Sequence, residues 1–231
     1  MHLSDFPRPA LIYDPRKPII SLHIPKCAGQ SFRRVLKKWF GERLLFHYFQ
    51  EHNAPPSRYP LQAGICIHGH FNAARGFGVN DYYPGADQLI TVVREPLEMH
   101  LSNYFYWKTK ARDRQLKLGR ITAGDENDYR DINDFFLKRQ KTPLLNFLPA
   151  DITPRNYKEI IEERFIWIGI VENLPAGIER LARILGFKPA VIPRVNVSAR
   201  SETLAPELRD SFIERHRFEF EIYQYVMEHY I

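Results

Sequence analysis

The chain has 231 residues, 44% of them apolar and 26% charged, with 33 Lys and Arg against 27 Asp and Glu for a net charge of +6. This is the composition of an ordinary soluble globular protein. No apolar run approaches the roughly 18 residues needed to cross a bilayer. The charge is spread without a basic block and favours an anionic partner, while two cysteines, Cys27 and Cys66, make neither a disulfide framework nor zinc-finger spacing.

Residues 1–17 carry three prolines and read as an irregular lead-in, followed by one domain over 18–231. The N-terminal segment lacks the apolar core of a secretory signal, so the expectation is a reducing, cytoplasmic setting. Ile19 to Ile24 is an apolar run of strand length. Phe32, Val35, Leu36 and Trp39 then recur at helical spacing until Gly41. Leu44 to Tyr48 and Ile65 to His68 read as short strands, separated by a proline-rich loop over 51–60. Gln88 to Val93, continuous and β-branched, reads as a central parallel strand covered on both faces. Pro96 suits the first turn of a helix bearing Leu97, Leu101, Tyr104 and Phe105.

Residues 108–130 read as a helix end and a mobile loop around Gly124. Helices follow at Ile132–Lys138 and Pro154–Glu163, then a strand at Phe165–Gly169. Leu174–Leu185 is an amphipathic helix stopped by Gly186, Pro193–Ser201 a loop, and Glu207–Tyr230 one long terminal helix. Strands alternating with helices give an α/β single domain with a central, mostly parallel sheet flanked by helices.

The segment Pro25-Lys26-Cys27-Ala28-Gly29-Gln30-Ser31-Phe32 turns from a strand into a helix that the sequence starts at a hydroxyl residue. The first amides of a helix lack internal partners and carry partial positive charge, so this is an anion site by construction. Ala28 and Gly29 let a phosphate approach the backbone, Ser31 donates a hydrogen bond and Lys26 adds a full charge. The plainer alternative makes Lys26 a loop lysine and Ser31 an N-cap. Cys27, beside Lys26, is placed for a lowered thiol pKa but reads first as a small turn residue. The Walker order G-x-x-x-x-G-K-[ST] is absent, because the lysine precedes the glycine.

Ligands of open parallel sheets sit beyond the carboxyl ends of the strands. Polar groups fall at three such ends: the Lys26–Ser31 loop, His68 with His70, and Arg94 with Ser102, eight residues on and two turns up a helix. The alternative for Arg94 is an ion pair with Glu95 or Glu98. The histidine pair next to a phosphate loop suggests a general base. No third metal ligand with sensible spacing accompanies the pair, and no carboxylate ends the best strand to hold Mg²⁺, so metal-free chemistry is expected.

Ile24-Pro-Lys-Cys-Ala-Gly-Gln-Ser-Phe32 resembles the 5′-phosphosulfate loop of the sulfotransferases that use 3′-phosphoadenosine 5′-phosphosulfate (PAPS), in the branch of the heparan sulfate and uronyl 2-O-sulfotransferases. Val93-Arg94-Glu-Pro-Leu-Glu-Met-His-Leu-Ser102 resembles that family's 3′-phosphate element. His68-Gly-His70 sits between the two, as a like-spaced pair does in the 2-O-sulfotransferases. Ile168–Leu185 is similar to the family's late strand and helix, and Asn196-Val-Ser198-Ala-Arg200 to a loop that closes over the cofactor.

The resemblance implies a P-loop-like sulfotransferase fold and a PAPS-dependent O-sulfotransferase with PAP as product. It implies PAPS contacts from residues 26–32, Arg94, Ser102, Ser198 and Arg200. His70 is the expected base, with His68 and Lys26 as the other catalytic candidates. The expected acceptor is a glycan or other hydroxyl compound; Tyr104, Tyr106, Trp107, Lys108, Lys110, Arg112 and Arg114 interleave aromatics with cations that suit an acidic sugar, the alternative being a solvated helix surface with a few core aromatics, and nucleic acid is not expected. Rival readings are a P-loop-type kinase or NTPase and a non-catalytic basic module binding nucleotides or nucleic acid.

Overall fold

The computed structural model describes residues 11–49, 54–119, 121–124, 128–139, 144–192 and 201–230. Its centre is a five-stranded sheet of β1 (Ile19–Leu22), β2 (Leu44–His47), β3 (Cys66–Gly69), β4 (Leu89–Val93) and β5 (Phe165–Ile170), in the order β2-β3-β1-β4-β5 with every pairing parallel. All residues of β1, β3, β4 and β5 are buried. That is why their sequences are mostly apolar, as strands covered on both faces are, with Ser21, His68 and Thr91 as buried polar exceptions. The α/β architecture expected from the sequence is the one observed, with the two best candidate strands, β1 and β4, adjacent.

Helix α1 (Gly29–Phe40) lays Phe32, Val35, Leu36, Trp39 and Phe40 on the sheet, and Gly41 ends it at φ 56°. It begins two residues before the expected Ser31, with Ala28 as N-cap and Ser31 inside the first turn. Helix α2 (Val79–Tyr82) precedes β4, and α3 (Pro96–Tyr106) follows it. Pro96 opens α3 as expected, and the Glu95 carboxylate accepts the Glu98 amide at 2.6 Å as its cap. A π-helical stretch, Trp107–Ala111, and α4 (Arg112–Lys117) extend α3 further than the sequence reading allowed.

Helix α5 (Ile132–Lys138) has the expected bounds. Helix α6 (Tyr157–Arg164) starts late, because the Asn156 side chain accepts the Thr153 amide at 2.7 Å and closes a turn ahead of it. Helix α7 (Leu174–Leu185) matches expectation and ends at Gly186, φ 72°. The single terminal helix is corrected to two, α8 (Pro206–Arg215) and α9 (Arg217–Tyr230). His216 breaks them at φ −102°, ψ 19°, its carbonyl accepting from the Glu219 amide at 2.9 Å. The bend lets Ile222, Tyr225 and Val226 join the main core, while Phe212 of α8 joins a separate aromatic cluster with Tyr104, Trp107 and Phe135.

Candidate active site

The loop between β1 and α1 is held in unusual backbone geometry. Lys26 and Ala28 have φ of 69° and 54°, the non-glycine residues with positive φ among those described. Each such position costs about 1–3 kcal/mol and persists where the surroundings over-determine it, a recurring property of ligand clamps. Left-handed residues inserted in a turn point successive amides inward, the arrangement of an anion nest. No side chain caps α1, so the first-turn amides of Gly29 and Gln30 are donors for a ligand.

The Lys26 ammonium stands 4.0 Å above the centroid of the Tyr106 ring. Burial, followed by the nearby cations Arg94 and Lys110, brings its pKa down to about 8. Arg94, at the end of β4, reaches back to the loop, its Nη1 donating to the Lys26 carbonyl at 3.4 Å. Its Nη2 donates to Glu98 at 3.3 Å, the ion pair weighed as the plainer alternative, while its buried Nε has no partner. The guanidinium is thus oriented by both neighbours and retains donor capacity. Ser102 sits one helical turn below Tyr106, on a row of residues spaced by four from Glu98 to Lys110. Because Tyr106 and Lys110 both act on Lys26, that row faces the loop, and half-buried Ser102 lies on it.

The histidines form a stack with a member the sequence reading did not single out. His23, directly after β1, lies between His68 and His70, with ring centroids 5.2 Å and 4.3 Å away and planes inclined by 13° and 24°. The parallel pairing of β1 and β3 creates this: Ser21 is in register with His68, and the His23 amide continues the ladder to the Gly69 carbonyl at 2.8 Å. Gly69 keeps its neighbours on one side by tolerating the His47 carbonyl, which a Cβ would meet at 1.9 Å. His23 Nδ1 and Tyr48 Oη are 2.7 Å apart, and burial, then His70 and His68, lowers the His23 pKa to about 2.

His70 Nδ1 lies 2.8 Å from the His23 carbonyl oxygen. A carbonyl only accepts, so Nδ1 carries the proton and Nε2 keeps a lone pair. Burial holds the His70 pKa below the ordinary histidine value, so this ring is neutral at physiological pH. His68 is fully buried, with Nδ1 2.9 Å from Ser21 Oγ and its pKa pushed down to about 3 by burial. Of the two predicted histidines, only His70 reaches toward solvent.

With the loop, the arginine and the histidine stack at the ends of neighbouring strands, comparison with known proteins agrees with the family resemblance. Residues of this chain are 26% identical over 178 positions to uronyl 2-sulfotransferase of Mus musculus and, equally, of Homo sapiens. This chain is similar to the glycan-directed sulfotransferases. The match takes in 63% of this chain and 44% of each relative, so the chain spans less than half the length of those proteins. No family model matches it. Among solved structures, mouse sulfotransferase SULT7A1 complexed with PAP superposes on 92% of this chain and 67% of its own, at 12% identity and a TM-score of 0.39, too loose an overlap to bear weight.

Against that sulfotransferase resemblance, the remaining expected residues divide. Ser198 and Arg200 lie outside the described residues. Gln30 is exposed at the loop; Phe32 turns inward, packing 5.6 Å from Trp167, and its amide donates to the Ala28 carbonyl at 3.0 Å. The idea of a low-pKa Cys27 is corrected: burial raises its thiol pKa, and its Sγ contacts Met99 Sδ at 3.7 Å.

The aromatic and basic run after α3 is split as well. Tyr104 and Trp107 belong to the aromatic cluster, Lys108 pairs with Glu202, and Arg112 grips Asp128 through two bonds of 2.6 and 2.9 Å. Tyr106, Lys108, Lys110 and Arg114 are the exposed members, Lys108 with its ammonium on Glu202. Within the described residues no helix is long and apolar enough to cross a membrane.

Proposed function

We propose that this chain transfers the sulfuryl group of PAPS to a hydroxyl of an acidic carbohydrate. The observation that carries the reading is the His70 tautomer: a neutral imidazole with a free Nε2, adjacent in the sheet to a cationic anion loop. PAPS places its 5′-phosphosulfate on the Lys26–Ser31 loop and its 3′-phosphate on Arg94 and Ser102. The acceptor hydroxyl attacks sulfur in line with the bridging oxygen. A new O–S bond forms, the bond from sulfur to that oxygen breaks, PAP leaves, and the hydroxyl proton passes to His70 Nε2. Lys26 and the loop amides stabilise charge developing on the leaving oxygens, and removing such a donor costs about 2.7–4 kcal/mol.

His68 and His23 serve as positioning residues that hold the His70 ring in plane. The acceptor class follows from the uronyl sulfotransferases to which the chain is similar. Exposed Tyr106, Lys110 and Arg114 give such a sugar an aromatic face and cations for its carboxylate.

Calorimetric titration with PAP, beside ATP with Mg²⁺, tests the assignment on the wild-type chain and on Lys26→Ala with Arg94→Ala. Metal-independent PAP binding that the double variant loses supports it, and PAPS is then screened against uronic-acid oligosaccharides. Binding of ATP·Mg²⁺ with no PAP binding overturns it in favour of a kinase-type site.

A further inference from the structure

On the far side of α3 from the Ser102 row, three buried side chains turn their ligand atoms toward one another. His100 projects from α3, about 200° around the helix from Ser102; His216 is the elbow between α8 and α9; Glu219 lies in the first turn of α9. They are 1%, 2% and 1% exposed. Among the described residues, theirs are the three His, Cys, Asp or Glu side chains whose ligand atoms all fall within 4.8 Å.

Buried polar groups are ordinarily hydrogen-bonded, and leaving them bare is costly. Here His100 Nε2, both ring nitrogens of His216, and Glu219 Oε2 have no hydrogen-bond partner. His216 Nδ1 and Glu219 Oε2 are 3.2 Å apart, yet not aligned as donor and acceptor. Two ligands at 2.0–2.1 Å from one tetrahedral ion stand about 3.3 Å apart, which is this separation. The other carboxylate oxygen, Glu219 Oε1, accepts from the Leu144 and Leu145 amides at 3.0 and 3.3 Å, an outer contact of the kind that orients metal ligands. Phe212 and Phe136 pack around the imidazoles and supply the apolar wall.

We propose that His100, His216 and Glu219 form a structural site for a divalent cation of the zinc class, clamping α3 to the α8–α9 elbow. Two imidazoles and one carboxylate suit Zn²⁺, with a water in the fourth position. The ion takes no part in sulfuryl transfer. It ties the helix that carries Ser102 to the C-terminal helices, across the boundary between the main core and the aromatic cluster.

The test uses the full chain, metal-stripped with chelator and titrated with Zn²⁺ against a chromophoric competitor, followed by elemental analysis and thermal unfolding. One zinc per chain is expected, with Tm raised by at least about 2–4 °C at saturation. Glu219→Gln preserves the acceptor for Leu144 and Leu145, and is expected to lower zinc affinity at least tenfold, as is His100→Gln. His70→Ala is expected to keep the stoichiometry, separating this site from the His23 stack. Co²⁺ substitution reads the wild type directly: four-coordinate visible bands without a thiolate charge-transfer band are expected. Absence of zinc uptake and of any Tm shift overturns the proposal. So does unaltered zinc affinity in both ligand variants, or a Co²⁺ spectrum of the fully hydrated ion.

Discussion

His23 fixes its neighbour His70 twice over: the two imidazoles stack at 4.3 Å, and the His23 carbonyl oxygen accepts a hydrogen bond from His70 Nδ1–H, 2.8 Å from the nitrogen. One residue thereby sets both the plane and the tautomer of the ring proposed as the base. Replacing His70 with Ala is expected to leave PAP affinity unchanged and to lower turnover by about 10²–10⁴-fold. Steady-state kinetics beside PAP calorimetry reads the two effects separately, and full turnover in the variant would sink the assignment of the base.

The rate should depend on pH through two groups of opposite requirement. His70 must be neutral, and its pKa is depressed, so the acid limb of kcat/KM falls below pH 6.5. Lys26 must be protonated, so kcat/KM declines as pH rises through about 8. An anionic substrate over the ammonium favours its charged form, so the alkaline limb of kcat lies at higher pH than that of kcat/KM. Lys26→Arg, permanently charged, is expected to abolish the alkaline limb; a limb that stays near pH 8 in that variant assigns it to another group.

Gly29 is a steric requirement of the histidine stack as well as of the loop. A Cβ there would stand 1.7 Å from His23 Nε2 and 2.1 Å from its Cδ2, with the ring wedged against buried neighbours. Gly29→Ala should therefore destabilise the chain by about 1–3 kcal/mol, the usual cost of over-packing, and depress turnover more than PAP binding. Denaturant unfolding and kinetics on the same preparation check this, and a variant with unaltered stability and rate would mean that His23 moves freely.

Acid sensitivity follows from the same residues. His23 and His68 have folded pKa values of about 2 and 3, while the unfolded chain binds their protons near pH 6.5. Stability from the two is complete above pH 6.5 and is lost as pH falls toward the folded values. The slope approaches about 1.4 kcal/mol per pH unit for each histidine. Urea midpoints between pH 7 and 4.5 measure it, with Ser21→Ala and His68→Phe as partners; a flat profile would show that these rings are not held neutral.

Much of the sheet was legible because buried parallel strands announce themselves as apolar runs, Leu89–Val93 above all. The turn from β1 into α1 over Lys26–Ser31 was legible because its small residues and its strand–helix setting are local. His23 was not, although it stands at a strand end beside the loop. Its importance depends on the pairing of Ile19 with Cys66, a contact between residues far apart in sequence. The break at His216 was hidden for a similar reason: Phe212, Phe218, Ile222 and Tyr225 keep a helical rhythm across it, and only packing against two different apolar clusters forces the bend. Lys108 and Arg112 looked available to a substrate until Glu202 and Asp128 were seen to occupy them.

The strand order has a kinetic consequence. The pieces of the site hang from three strands, and β1 acquires its two partners, β3 and β4, only after the chain has closed loops of some dozens of residues. Such non-local pairing belongs to the slow end of small-domain folding. An early collapsed species holding only α1 and the later helices would lack the His23–His70 stack altogether, so affinity for anions should emerge last during refolding.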